Sequence, residues 1–267
     1  ARPGQGKTDS PSDSPHIRVG NLSFSYSNTN HKVLDDISFT ANQGDFLGVT
    51  GPVGSGKSTL ALLLTGLYPY SGEIAIDGRD LSLCTGTERA GMLAYSGQDA
   101  FLFSASIAQN ITFREKSGLS EEMLSRLEEA IYISALTEDM ALFPQGLETQ
   151  IGEEGVRVSG GQRQRISLAR AIFTGNPVLI LDDPFSAVDI GTEKRIIERM
   201  NENLNGRTII LFSHRLAAFA NADKVIVLDK GRLAEQGSHT ELMTLGGIYQ
   251  KIYSAQSFLL LESGFNA

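Results

Sequence analysis

The chain carries Gly51-Pro52-Val53-Gly54-Ser55-Gly56-Lys57-Ser58, which fits the pattern G-x-x-x-x-G-K-[ST]. The apolar segment Phe46–Thr50 precedes it and predicts a buried strand, and leucines at helical spacing follow it. The glycines let the backbone curl until its N–H groups point inward at phosphates, Lys57 reaches the β and γ oxygens, and Ser58 ligates Mg²⁺. The start of the following helix adds positive partial charge. We therefore predict that residues 51–58 and Thr59 bind a nucleotide.

A second segment near the start of the chain only imitates this motif. In Gly4-Gln5-Gly6-Lys7-Thr8, Ala1 stands where the first glycine belongs and no strand precedes it. Residues 1–15 are mostly Pro, Ser, Gly and Asp with little to bury, so we predict a linker there. The chain begins at Ala1 without Met or a signal-peptide pattern, which suggests a piece of a longer protein.

Composition excludes several classes of protein. The chain has 267 residues, 41% of them apolar, and a net charge of −8, which fits one large globular domain or two small ones. The longest apolar runs have five residues, far short of the roughly 20 that span a bilayer. The net negative charge argues against nucleic acid as a partner, because binding to the phosphate backbone depends on Lys and Arg. Cys84 has no second cysteine to pair with, which favours a cytosolic location, and we expect it to be a small buried hydrophobe.

Hydrophobic periodicity predicts an α/β fold. Alternating segments, Ile17–Val19, Leu22–Tyr26 and Ile37–Phe39, predict antiparallel strands. Residues 107–172 are mostly helical in pattern, with helix starts expected at Ser120 and Ser159. Buried strands return at residues 178–181, 208–212 and 225–228, each near a helical segment, as in a parallel sheet.

Two further segments extend the predicted site. Asp182 ends the apolar strand 178–181 and can supply the carboxylate that a phosphate loop needs for its metal. In Val158-Ser159-Gly160-Gly161-Gln162, the spacing of Ser159 and Gln162 predicts a capping box, and the two glycines expose the first N–H groups of a helix. Such a helix start binds an anion.

The last segment resembles the signature of ATP-binding-cassette (ABC) proteins, usually LSGGQ. The resemblance extends over about residues 16–254 and implies ATP and Mg²⁺ as ligands. It implies that Tyr26 stacks on adenine, that Gln98 in Tyr95-Ser96-Gly97-Gln98 contacts the metal and the attacking water, and that His214 senses the γ-phosphate. Asp189, in Ser186-Ala187-Val188-Asp189, lies in the expected D-loop. In this family Ser159, Gly160, Gly161 and Gln162 complete the nucleotide site of a partner domain.

Two segments resemble the exporter branch of the family. Residues 101–111 and Thr149-Gln150-Ile151-Gly152-Glu153-Glu154-Gly155 are similar to the Q-loop extension and X-loop, which contact coupling helices of a transmembrane domain. The resemblance implies such a domain as partner, in the same full-length chain, at the cytoplasmic face of the plasma (inner) membrane. It also implies a P-loop NTPase (RecA-like) core, an N-terminal antiparallel β subdomain and an inserted helical subdomain at about residues 100–165. We place the ATP-binding domain at 16–255, with 256–267 as a C-terminal tail, and expect His239 to be structural.

The chain departs from the family at Asp182-Asp183-Pro184, where a glutamate normally follows the first aspartate. Losing one methylene retracts the carboxylate by about 1.5 Å, which can reduce a rate on the order of a hundredfold. The pattern resembles one half of a heterodimeric exporter: Asp183 leaves this chain's own site slow, and its signature completes the site of a second ABC subunit that keeps the glutamate.

Two other functions are consistent with the sequence. In a homodimeric exporter, Asp183 itself serves as the base. A soluble ABC ATPase of DNA repair or translation is the other, although the chain lacks the coiled-coil insertions, tandem cassettes and basic patches usual there. The transported substrate is set by segments outside this sequence.

Overall fold

The computed structural model describes residues 16–27, 31–152 and 155–262. It consists of two compact units: unit 1 comprises the described residues up to Leu93 and from Gly206 onward, and unit 2 comprises Ala94–Asn205. The predicted linker, residues 1–15, lies outside the described residues.

Unit 1 contains an antiparallel sheet in the order β2-β1-β4-β5. Its strands are β1 (Ile17–Phe24), β2 (Leu34–Ala41), β4 (Ser71–Ile76) and β5 (Arg79–Asp80). Val19 pairs with Phe39 on one side and with Ile74 on the other. The strands predicted at 17–19 and 22–26 form one strand, which ends at Phe24 and leaves Tyr26 outside it. A register shift after Val19 keeps both Val19 and Leu22 buried within this strand.

A second group of strands in unit 1 has the order β12-β11-β3-β10. They are β3 (Phe46–Thr50), β10 (Thr208–Phe212), β11 (Lys224–Asp229) and β12 (Arg232–Gly237). β3 lies between two parallel neighbours and all its residues are buried, which explains why its sequence does not alternate between apolar and charged residues. The helices of unit 1 are α1 (Lys57–Leu64), α2 (Gly86–Met92), α8 (His239–Leu245) and α9 (Ile248–Glu262). The domain boundary predicted after residue 255 falls inside α9.

Unit 2 contains the neighbouring strands β6 (Leu93–Ser96, from Ala94) and β9 (Val178–Asp182), and the short pair β7 (Ala105–Ser106) and β8 (Gln150–Ile151). Its helices are α3 (Ile107–Thr112), α4 (Glu121–Ile133), α5 (Thr137–Met140), α6 (Gly160–Phe173) and α7 (Ile190–Asn203). The predicted helix starts at Ser120 and Ser159 are confirmed, since both residues are N-caps. The predicted α/β class is confirmed.

The prediction for Cys84 is wrong. Its side chain is only half-buried, and Sγ donates a hydrogen bond to the carbonyl of Asp80 at 3.3 Å. Cys84 ends a short 3₁₀ helix, Leu81–Leu83, which keeps it near the surface. Within the described ranges, no helix has the length and apolarity needed to cross a membrane.

Candidate functional site

The phosphate-loop motif joins the end of β3 to the start of α1. Gly51 has φ 145° and Gly56 has φ 101°, a region that side chains disfavour. A Cβ at Gly51 would lie 2.0 Å from the carbonyl oxygen of Leu228, and one at Gly56 would lie 2.6 Å from Leu34 Cδ2. Both positions therefore require glycine, for conformation and for space.

The loop presents hydrogen-bond donors and positive charge. Lys57 Nζ donates to the carbonyl oxygens of Gly51 at 2.8 Å and Pro52 at 3.0 Å, which holds the ammonium group at the loop. Gly56 is the N-cap of α1 and has no side chain to cap the first N–H groups of the helix. Ser55 Oγ is buried and finds no hydrogen-bond partner among the described residues. These donors fit a phosphate anion.

Tyr26 and His214 lie in the same unit as the loop. Tyr26 is 41% exposed, contacts Phe24 edge-on with 4.8 Å between ring centroids, and its hydroxyl lies 3.2 Å from Thr59 Oγ1 in α1. The exposed His214 follows β10, whose Phe212 pairs with Val49 near the end of the parallel strand β3. The switch-histidine candidate and the phosphate loop thus follow the carboxyl ends of neighbouring parallel strands, where α/β proteins place ligands.

Unit 2 holds the two consecutive carboxylates. Asp182 ends β9 and is 4% exposed. Burial, together with the charge of Asp182 and a hydrogen bond to it, raises the pKa of Tyr95 to about 12, so Tyr95 stays a neutral donor to this carboxylate near pH 7. The half-buried Asp183 has φ 47°, and its carbonyl accepts the N–H of Ser186 at 3.4 Å. Asp183 therefore begins a turn in left-handed backbone.

The signature residues form the start of α6, and the predicted capping box is confirmed. Gln162 N–H donates to Ser159 Oγ at 3.1 Å, and Ser159 N–H donates to Gln162 Oε1 at 2.9 Å. Gln162 Nε2 also donates to Asp139 Oδ1 at 2.8 Å, and Arg165 pairs with the other oxygen of Asp139. Asp139 could not be predicted from the sequence, because a carboxylate 23 residues away from Gln162 carries no local signal.

Gln164 connects the predicted Q-loop and D-loop, and this role could not be predicted from the sequence either. Its side chain is buried; Nε2 donates to the carbonyl of Gln98 at 3.4 Å and to Ser186 Oγ, and Oε1 accepts the N–H of Ala187 at 2.8 Å. An open groove of about 350 Å³ lies here, lined by Gln98, Asp99, Ala100, Phe101, Gly160, Arg163, Gln164, Ser186 and Ala187. The predicted Q-loop, the predicted D-loop and the helix of the signature are thus connected by Gln164.

Asp189 is the N-cap of α7. Its carboxylate accepts the N–H of Thr192 at 2.9 Å, and the hydrogen bonds from Thr192 hold the pKa of Asp189 below its usual value. The structure thus gives this side chain a capping role, and its contact with a nucleotide stays a prediction.

An exposed aromatic patch, defined here as Phe101, Phe103 and Phe113, includes two residues of the predicted Q-loop extension and a third just beyond its end. The ring of Phe103 contacts those of Phe101 and Phe113 edge-on, and the Arg170 guanidinium lies 5.6 Å from the centroid of Phe103 and 5.2 Å from that of Phe113. Arg170 also donates to the backbone carbonyls of Phe101 and Asn110. Of the predicted X-loop, Glu153 and Glu154 lie outside the described residues.

The chain is similar to proteins of one family. The family model described as ABC transporter matches residues 34–186, more than half of the chain. A "Probable multidrug resistance ABC transporter ATP-binding/permease protein YheI" of Bacillus subtilis is 38% identical over 93% of this chain and 42% of that protein. An "ATP-dependent lipid A-core flippase" of Pseudomonas aeruginosa is 38% identical over 94% of this chain and 41% of that protein.

Among solved structures, one of a bacterial Atm1-family ABC exporter with ATP bound matches with a TM-score of 0.83 and 36% identity, covering 91% of this chain and 42% of that chain. This likeness confirms the predicted P-loop NTPase fold. The chain spans about two fifths of the length of these relatives.

Proposed function

This chain belongs to the ABC transporter family, and on that premise we propose that it is the ATP-binding motor domain of an exporter. In this function it binds Mg-ATP, pairs head to tail with a second such domain, and couples ATP binding and hydrolysis to export. The observation that carries the proposal is the loop of residues 51–58, whose glycine conformations and uncapped helix start are suited to a polyphosphate.

The nucleotide contacts follow from the donors in unit 1. Lys57 now binds two neutral carbonyls, and phosphate oxygens would offer it charged acceptors, which form stronger hydrogen bonds. The N–H groups at the start of α1 add donors and partial positive charge. Tyr26 offers a half-exposed ring for stacking on adenine.

The proposed metal ligands suit Mg²⁺, which takes oxygen ligands and is usually bound by one or two carboxylates plus substrate phosphates. On the family resemblance, Ser58 would supply a hydroxyl, Gln98 an amide oxygen and Asp182 a carboxylate. The bound metal would neutralise charge on the phosphates during transfer. Tyr95 donates to Asp182 and so helps to orient this carboxylate.

Asp183 is the proposed base, and its short side chain is the reason to expect a slow site. Its carboxylate is about 1.5 Å less extended than a glutamate's, and a misplacement of that size can cost on the order of a hundredfold in rate. We propose that this chain retains ATP at its own site and that Ser159–Gln162 complete the faster site of a second ABC subunit with an intact glutamate. The confirmed capping box supports this second role, since it orders the helix start that would face the partner's phosphate.

The aromatic patch supports a transmembrane domain as partner. Three exposed phenylalanines in one place are unusual on a protein that has no partner there. Arg170 contacts the rings of Phe103 and Phe113 and donates a hydrogen bond to the backbone carbonyl of Phe101. We assign this patch to contact with the coupling helices of the transporter, which would place the domain at the cytoplasmic face of the plasma (inner) membrane.

One observation favours a second candidate, a homodimeric exporter in which Asp183 is an adequate base. Asp183 has φ 47°, and aspartate tolerates left-handed backbone better than most residues other than glycine and asparagine. On this reading an aspartate stands at position 183 because it suits the left-handed backbone of the turn, and the site hydrolyses ATP at a normal rate.

The test is ATP turnover by the purified chain, alone and as Asp183→Glu, at high protein concentration with Mg²⁺. We expect the variant to be faster by about tenfold or more, because the longer side chain restores the position of the base. The matched control is Asp36→Glu, which makes the same change at another left-handed residue, φ 58°.

A wild type that is already fast, with no gain in Asp183→Glu, would support the homodimeric candidate. If neither protein binds or hydrolyses ATP, the motor-domain proposal itself fails.

A further inference from the structure

A glutamine of α9 holds the backbone beside His214. Gln256 is half-buried, and its Nε2 donates a hydrogen bond to the carbonyl oxygen of His214 at 2.5 Å. Its Oε1 accepts a hydrogen bond from the backbone N–H of Leu216 at 3.0 Å. One amide group therefore binds a carbonyl and an N–H on the two sides of Arg215, between β10 and the 3₁₀ helix Leu216–Phe219.

The same segment is held to the core from β3. The N–H of Ser213 donates to the carbonyl of Val49 at 3.1 Å. Leu216 and Phe219 are fully buried, and a Cβ at Gly48 would lie 2.6 Å from the ring of Phe219. Residues 213–219 are thus tied to the strand that leads into the phosphate loop, and Gln256 adds a second attachment from α9.

The start of α9 is itself fixed, which sets the position of Gln256. The carboxylate of Glu235 accepts the N–H groups of Ile248 and Tyr249, the first two residues of the helix. The side chain of Tyr249 is fully buried, and its hydroxyl lies 2.8 Å from His239 Nδ1. Gln256 follows Tyr249 by seven residues, about two helical turns, and so lies on the same face. The expectation that His239 is structural agrees with this contact.

We propose that Gln256 is a positioning residue for His214: by binding the backbone on both sides of Arg215, it fixes the direction in which the His214 imidazole points. This inference rests on the proposed function, in which His214 senses the γ-phosphate. Because a displacement of about 1 Å at a reacting group can cost on the order of a hundredfold in rate, the expected effect is on hydrolysis and not on nucleotide affinity.

The test replaces Gln256 by an apolar side chain of similar length. Gln256→Met removes both hydrogen bonds, so we expect amide exchange at Leu216 to become at least about tenfold faster. Turnover should fall at least about tenfold while the Kd of Mg-ATP changes less than about twofold. Turnover is measured in wild type or in Asp183→Glu, whichever is faster. The matched control is Gln250→Met, the same change on the same helix but six residues away and on a different face.

Two further variants separate positioning from a general loss of structure. Gln256→Glu keeps the acceptor for Leu216 but cannot donate to His214 when ionised, so Leu216 should stay protected while turnover falls. In a His214→Ala background, Gln256→Met should cause no additional loss of turnover, because the two residues act on the same step.

The proposal is overturned if Leu216 exchange is unchanged in Gln256→Met, because the contact then contributes nothing in solution. It is also overturned if Leu216 exchange accelerates in Gln256→Met but turnover does not fall. The same holds if the losses of turnover caused by Gln256→Met and by His214→Ala are additive in the variant that carries both. If wild type fails to bind Mg-ATP, the proposed function fails and the positioning role fails with it. The Leu216 exchange rates then still show whether the Gln256 contact exists, so the two failures are distinguishable.

Discussion

Two glycines at the start of α6 lie against Ala187 of the predicted D-loop. A Cβ on Gly160 would lie 3.2 Å from Ala187 Cβ, and one on Gly161 would lie 2.8 Å from the carbonyl oxygen of Ala187. Ala187 N–H is in turn bound by Gln164. The absence of two side chains therefore lets the helix that carries the signature approach the D-loop.

We predict that Gly161→Ala destabilises the chain even though alanine is the better helix former. The added methyl group presses on the Ala187 carbonyl, and such overpacking costs about 1–3 kcal/mol. The matched control is Gly91→Ala in α2, where the added Cβ has no atom within 4 Å among the described residues. That change should stabilise by about 0.5–1 kcal/mol. Urea midpoints check both variants, and a stabilised Gly161→Ala would contradict the close approach.

At the scale of elements, side-chain caps determine where several helices begin. Reciprocal capping boxes start α2, α3, α6 and α8, formed by Thr85 with Glu88, Ser106 with Gln109, Ser159 with Gln162, and Ser238 with Glu241. Each box satisfies two N–H groups that the helix itself leaves unpaired. The start of α7 uses the single cap Asp189.

We predict that Asp189→Ala destabilises the chain by about 1 kcal/mol at neutral pH, because the cap on Thr192 is lost. Asp189→Asn keeps an uncharged cap and is the matched control. Since the pKa of Asp189 is lowered in the folded state, its ionised form adds stability above its ordinary pKa of 3.8, and that stability is lost as the pH falls below this value.

Unfolding midpoints measured from pH 7 to pH 3 should therefore show the advantage of wild type over Asp189→Ala shrinking in acid. A difference between these two proteins that does not change with pH would contradict an ionised cap.

At the scale of the whole molecule, the predicted site residues are distributed over two compact units. Unit 1 holds the phosphate loop, Tyr26 and His214, and unit 2 holds Gln98, the signature, Asp182, Asp183 and Asp189. The residues proposed to bind phosphate and adenine thus lie in unit 1, and the proposed base and the signature lie in unit 2.

We predict that Mg-ATP stabilises the chain through the phosphate loop. At 100 times its Kd, a ligand that binds only the folded state adds about 2.7 kcal/mol, which corresponds to a rise in Tm of about 5–10 °C for a chain of this size. Lys57→Met should reduce this rise strongly, and Lys251→Met, on α9, should not. Chelating Mg²⁺ should also reduce it. An equal rise in wild type and Lys57→Met would contradict the assignment of the loop.

The sequence alone determined the local features of this protein. The strand, loop and helix around residues 46–64 and the capping box of Ser159 with Gln162 depend on residues within a few positions of one another, so their spacing is visible in the chain. The motifs and their family resemblance followed from the same short spacings, as did the α/β class.

The tertiary structure alone decided which distant residues support these motifs. Gln164 reaches Gln98, 66 positions earlier, and Gln256 reaches His214, 42 positions earlier, from a segment that the sequence predicted to be a tail. The close approach of Gly161 to Ala187, 26 positions later, is a further contact of this kind. The physical reason is that packing between elements brings these groups together, and a glutamine side chain carries no periodic or short-range signal of the backbone that it will bind.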